Sequence, residues 1–204
     1  MVTYQHSQRS VTRNDEPVQH HNDEDTNFGI QRFKGNIAQG IIELIFRDSG
    51  YDVYPYGYEN HVFNNIKHMR KGPANTSTKI LRTSPDFFMY DRNEDEGYFL
   101  EVKFTNASEN YYKIAKRTLD SYKSHWEEAF LVVYCARTGN IFCKQFRTID
   151  TEHLKTSGFK SRYAPSYVLN LVDDFEPLPT CFKSINAENL HHLMSSVKDV
   201  FEQL

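Results

Sequence analysis

Asp86, Glu101 and Lys103 are the reactive side chains of this 204-residue sequence that sit most awkwardly in their surroundings. Asp86 falls in the run Ser84-Pro85-Asp86-Phe87-Phe88-Met89-Tyr90. The other two fall in Gly97-Tyr98-Phe99-Leu100-Glu101-Val102-Lys103-Phe104. Both runs are rich enough in aromatic and aliphatic residues to read as interior strands. Side chains alternate along a strand, so Leu100, Val102 and Phe104 share one face while Phe99, Glu101 and Lys103 share the other. Burying an acid and an ammonium side by side is costly unless they are paired or hold a metal. Function is the simplest reason to keep them there.

Between the two runs, Asp91-Arg92-Asn93-Glu94-Asp95-Glu96-Gly97 is a polar connection of hairpin character, which would make the strands neighbours and bring Asp86 near Glu101. Two carboxylates from adjacent strands suit a hard divalent cation, Mg²⁺ or Mn²⁺, that takes oxygen ligands and keeps waters free. Lys103 could contact a phosphate, or orient and help deprotonate an attacking water if a nearby metal lowers its pKa. Metal, carboxylates and lysine together suit hydrolysis of a phosphodiester.

Pro85-Asp86, a spacer, then Glu101-Val102-Lys103 resembles the signature of the PD-(D/E)xK nuclease superfamily, the restriction-endonuclease-like fold. The resemblance covers the middle of the chain, from about Phe33 to Phe146. It implies the order helix with glutamate, strand, Asp strand, ExK strand, helix, strand. It further implies that Asp86 and Glu101 hold the metal with help from the Val102 carbonyl, that Lys103 positions the water, and that Glu43 supports the site from the first helix. The wheel of that helix puts Glu43 at the edge of the polar arc, where plain solvent exposure explains it equally well.

The length allows one domain with a full core, expected over residues 28–204. Residues 1–27 carry two basic and five acidic side chains and few large aliphatics, so a disordered acidic tail is expected. With no apolar leader and no span-length apolar run, the expectation is a soluble intracellular protein, cytoplasmic or associated with nucleoid or nucleus, without membrane contact. Cys135, Cys143 and Cys181 show no metal spacing and an odd count, and are expected reduced and packed. The net charge of −3 disfavours a nucleic-acid partner weakly. Against it, the stretch from His61 to Pro85 holds Lys67, Arg70, Lys71, Lys79 and Arg82 and no acid, leading straight into Asp86. A solvated basic surface is the competing explanation.

Ile30, Phe33, Ile37, Ile41, Leu44 and Ile45 recur at helical spacing up to Gly50, predicting a helix from about Phe28 to Asp48, followed by a strand at Tyr51–Tyr56. A short helix is read at 60–71. Ser108 and Glu109 look like the start of a helix running to about Glu128. In the family such a helix flanks the cleft, so Lys113, Lys116 and Arg117 become candidates for phosphate contact, alongside the commoner explanation of solubility. Ala129–Ala136 and Asn140–Phe146 read as strands around a tight turn, Ser166–Val172 as another strand, and Asn186–Phe201 as an amphipathic helix that packs on the domain or on a second subunit. Lys155, Lys160 and Arg162 mark a second basic loop.

No G-x-S-x-G elbow, P-loop or G-x-G-x-x-G is present, which leaves esterase triads, ATP and dinucleotide chemistry unsupported. The thirteen tyrosines and fifteen phenylalanines could stack unpaired bases, although core filling explains most of them. The expectation is therefore an α/β protein, a central mixed β-sheet flanked by helices with a C-terminal amphipathic helix. It would be a Mg²⁺- or Mn²⁺-dependent nuclease acting on DNA ahead of RNA, with homodimerisation open. A catalytically silent nucleic-acid-binding or assembly module of the same fold is the alternative, and a structural αβ protein with a coincidental motif the third reading.

Overall fold

The computed structural model describes residues 22–57, 76–107, 110–157 and 165–202. The chain divides into two compact units, residues 1–33 and 34–204. The described part of the first is the opening of helix α1 (Asn22–Asp48), which begins inside the segment expected to be an unstructured tail.

From Lys34 onward α1 buries Ala38, Ile41, Ile42, Ile45 and Phe46, a stripe at three- and four-residue spacing. Leu44, placed on the apolar face by the sequence reading, is exposed instead. Gly50, at φ +90°, ends the helix in the left-handed conformation that glycine adopts without penalty. The chain then enters β1 (Tyr51–Pro55), and after an undescribed stretch the short helix α2 (Thr76–Arg82). The expected helix at 60–71 lies outside the described residues.

Next come β2 (Phe87–Asp91) and β3 (Glu96–Thr105), an antiparallel pair whose register sets Phe87 opposite Leu100 and Phe88 opposite Phe99. β1 pairs with β2 on the other side. β3 also pairs in parallel with β5 (Phe130–Cys135), which continues through a turn into β6 (Asn140–Gln145) and the two-residue β9 (Glu176–Pro177). The result is a six-stranded mixed sheet in the order β1-β2-β3-β5-β6-β9. It is flanked on one face by α1, α5 (Leu178–Cys181) and α6 (Ala187–Glu202), and on the other by α3 (Lys116–His125) and a small sheet of β4 (Tyr111–Ala115), β8 (Ser166–Asn170) and β7 (Lys155–Ser157). A four-residue helix α4 (Leu171–Asp174) follows β8.

The alternation along β3 decides what each face holds. Leu100 and Val102 join the core under α1, with Phe104 packed against it, whereas Phe99 packs at the margin of the opposite core. Leu190, Leu193, Met194 and Val197 of α6 pack on the α1 side, so that apolar face is used within the chain.

Two expectations are corrected. The helix read from Ser108 starts only at Lys116, because Tyr111–Ala115 is a strand paired with β8, and Lys113 stands on that strand. Its aromatic and β-branched residues follow strand preference, and the pairing partner lies about fifty residues downstream, beyond the reach of local pattern. The cysteines are not all reduced: Cys143 of β6 and Cys181 of α5 form a disulfide, and Cys135 is buried and free. Their separation of 38 residues hides a proximity created by β6 and the β9–α5 turn.

Candidate active site

Asp86 stands one residue before β2, where the backbone of the adjacent chain closes on it. Its carbonyl accepts hydrogen bonds from the N–H groups of Tyr56 (2.8 Å) and Gly57 (3.0 Å). A Cβ at position 57 would lie 3.4 Å from the Asp86 Cα, so glycine suits that close approach. The side chain is held at both oxygens: Oδ2 accepts from the Val102 N–H at 2.7 Å and Oδ1 from Gln39 Nε2 of α1 at 2.8 Å.

Glu101 projects from the middle of β3 with only 4% of its side chain exposed, and pairs with Lys103 two residues on, whose side chain is 30% exposed. The Tyr122 hydroxyl of α3 hydrogen-bonds the same carboxylate. Tyr122 is itself fixed by a near-parallel stack on Phe146, ring centroids 4.6 Å apart. Tyr112 of β4 lies close enough to feel the charges of Lys103, Glu101 and Asp86.

The electrostatics follow from placing two acids and one base in a partly dry site. Burial first, and then the Glu101 charge, push the Asp86 carboxyl up to about 7, against the opposing pull of Lys103, the Val102 N–H and Gln39. Burial works against the Lys103 ammonium, yet Glu101 and Asp86 outweigh it and hold its pKa above the ordinary lysine value. Lys103 is therefore a firm cation here rather than a base. Burial and the nearby carboxylates likewise hold the Tyr122 hydroxyl well above its ordinary value, so it acts as a hydrogen-bond donor.

Among the described residues no group of three or more His, Cys, Asp or Glu side chains is arranged to hold a metal. The candidate donors are two carboxylates and one carbonyl. In an extended strand the N–H and C=O of one residue face the same way, so the Val102 carbonyl faces the side on which its N–H meets Asp86. A carboxylate raised to about 7 by burial first and then by a second carboxylate is a site whose repulsion a divalent cation would relieve. Two carboxylates are also the protein share typical for Mg²⁺. The residues present fit such an ion.

Asp86, Glu101 and Lys103 thus come together as the spacing implied. Glu43 does not join them: its carboxylate pairs with Arg47, 2.9 Å away, along the outside of α1. One turn earlier on the same helix, Gln39 reaches Asp86 instead. Gln39 lies one turn from Glu43 on a similar arc of the helix, but a neutral amide there carries no charge to mark it in the sequence. Lys79 is exposed on α2, and Lys67, Arg70 and Lys71 and the side chain of Arg82 lie outside the described part of the structure. Lys113 lies over the Tyr111 ring and Lys116 over Tyr167, at 5.5 and 5.7 Å, and with Arg117 they are exposed. Lys155 is exposed on β7, while Lys160 and Arg162 are undescribed.

Solved structures similar to this chain include a resolvase and a viral nuclease. One is Hjc, a Holliday junction resolvase of Archaeoglobus fulgidus, with a TM-score of 0.42 and 10% identity, covering 72% of this chain and 94% of that one. The other is D212, a nuclease from a fusselovirus, with a TM-score of 0.45 and 13% identity, covering 84% and 97% respectively. No protein-family model and no curated protein matches the sequence. No described helix is long and apolar enough to cross a membrane.

Proposed function

We propose that this chain is a PD-(D/E)xK-type nuclease that hydrolyses phosphodiester bonds of DNA with Mg²⁺ or Mn²⁺. One observation carries the reading: the Val102 N–H holds Asp86 against the Glu101-Val102-Lys103 segment at 2.7 Å, so an acid pair and a lysine converge from two strands. A structural hairpin would have little use for that arrangement, since it leaves Asp86 raised to about 7.

Asp86, Glu101 and the Val102 carbonyl would hold the cation, and Gln39 and Tyr122 would fix the two carboxylates in place. The bound ion would supply positive charge at the scissile phosphate and make water more acidic. Lys103, kept protonated, would donate to a non-bridging phosphate oxygen and offset the charge that builds as the water oxygen bonds to phosphorus, its proton passing to bulk water, and the bond to the leaving sugar oxygen breaks, that oxygen taking a proton from bulk water. Glu43, paired with Arg47 along the outside of α1, has no part in this step, and the basic residues Lys67, Arg70, Lys71, Lys79, Arg82, Lys113, Lys116 and Arg117 would serve as backbone contacts.

The test is incubation of purified protein with plasmid, linear, single-stranded and four-way-junction DNA, and with RNA, in Mg²⁺, Mn²⁺ or EDTA. Cleavage in Mg²⁺, lost in EDTA and in Asp86→Asn, is expected. Full activity of Asp86→Asn would defeat the assignment, and binding without cleavage would favour the silent module.

A further inference from the structure

Tyr54, Phe88 and Phe99 stand opposite one another across three strands. Tyr54 pairs with Phe88 in the β1–β2 register and Phe88 with Phe99 in the β2–β3 register, so all three lie on one face of the sheet. Ring centroids are 6.3 Å apart for Tyr54 and Phe88 and 5.2 Å for Phe88 and Phe99. Trp126, just after α3, extends the row at 5.2 Å from Phe99, and Tyr56 packs on both at 5.0 and 5.9 Å. Alternation along β3 puts this on the face that carries Glu101 and Lys103, with Phe99 two residues, roughly 7 Å, from Glu101.

The row is not core. The cluster on this face, built on α3, β4 and β8, reaches Phe99 and Trp126 only at its partly buried margin, and Tyr54 and Phe88 belong to neither cluster. Tyr54 is 54% exposed although it is a large aromatic on a paired strand. The shelf also has a fixed seat: a Cβ at Gly97 would fall 2.9 Å from the Phe88 ring, which therefore lies against the β3 backbone. Tyr54 and Phe88 lie near-parallel at 27°, while Phe99 and Trp126 tilt by 54° and 64° to their neighbours, and such a row on a rigid sheet beside the proposed cleavage centre offers ring faces on which unpaired bases stack. A continuous duplex, whose base faces are covered by their neighbours, has nothing to offer it.

Resting on the nuclease reading, we infer that Tyr54, Phe88, Phe99 and Trp126 bind unpaired nucleotides next to the scissile phosphate. The substrate class is then a nucleic acid with a single-stranded arm or gap at the cut, rather than uninterrupted duplex.

Trp126 is the one tryptophan of the chain, which gives a readout independent of cleavage. The full-length protein in EDTA is titrated with an oligothymidylate of roughly 16 nucleotides and with a blunt duplex of equal length, following Trp126 emission. The oligothymidylate should quench the emission, and the duplex should not. Tyr54→Ser, at an exposed position, should weaken oligothymidylate binding roughly tenfold, the loss expected for one stacked base, and Tyr54→Trp, followed by anisotropy of a labelled oligonucleotide, should retain it. Unchanged affinity in Tyr54→Ser, or equal quenching by the blunt duplex, overturns the inference. Cleavage is then measured in Mg²⁺ with the same pair of substrates. Stacking without any cleavage leaves the shelf standing and removes the nuclease, whereas equal cutting of both substrates with Tyr54→Ser unaffected removes the shelf and leaves the nuclease.

Discussion

Gln39 of α1 donates a hydrogen bond to Asp86 Oδ1 at 2.8 Å, across 47 residues of sequence. A neutral amide that donates to a carboxylate favours its charged form, so this contact draws down the Asp86 pKa that burial and Glu101 push up. Gln39→Leu should raise that pKa further and weaken Mg²⁺ binding by roughly fivefold, about the worth of one hydrogen bond. Calorimetric Mg²⁺ titration at pH 7.5 checks it, and unchanged affinity would show that Gln39 only packs.

Asp86 makes metal-free stability depend on pH. Its folded pKa of about 7 lies above the unfolded value, so its contribution is fully favourable in acid and is lost as pH rises toward and through 7. At about 1.4 kcal/mol per pKa unit, the loss is on the order of a few kcal/mol. Asp86→Asn should remove this part of the slope and raise the melting temperature in EDTA at pH 8 while abolishing cleavage. Parallel melting curves of both proteins from pH 5 to pH 8 would disprove the linkage.

Removing Lys103 leaves Glu101 with little solvent and no ammonium. Lys103→Ala should therefore cost about 1–3 kcal/mol of stability as well as activity. The double variant Glu101→Gln/Lys103→Ala should recover much of the stability and none of the activity. Urea denaturation separates the two effects, and a Lys103→Ala protein as stable as wild type would show that the pair is solvated.

The Cys143–Cys181 bond closes a span of 38 residues joining β6 to α5. Loop closure of that size predicts a loss of about 3–4 kcal/mol when both are replaced by alanine, seen as a lower urea midpoint without reductant. Equal midpoints for the variant and the oxidised wild type would mean the bond does not form in solution.

The meeting of Asp86, Glu101 and Lys103 was legible because its cause is local. A period of two fixes the faces of β3, and the polar run Asp91–Gly97 fixes its pairing with β2, so Asp86 and Glu101 meet for reasons contained within about twenty residues. Gln39, the disulfide and strand β4 were not legible, because each depends on a partner tens of residues away that no local period encodes. Tyr122 shows the same limit differently. It stands with Leu119 on the buried face of α3, while its hydroxyl contact with Glu101 depends on how α3 lies over the sheet.

Strand β3 has one neighbour joined by a four-residue turn and another reached only through β4 and α3. Hairpins close in about 1–10 μs, whereas pairings that close long loops come later. The two carboxylates are then expected to meet early in refolding, before Gln39 or Tyr122 can hold them, so that their repulsion would fall on the folding barrier itself. Asp86→Asn should then speed refolding in EDTA at pH 8 more than it slows unfolding. A change confined to the unfolding limb would instead place the meeting of the two acids after the rate-limiting step.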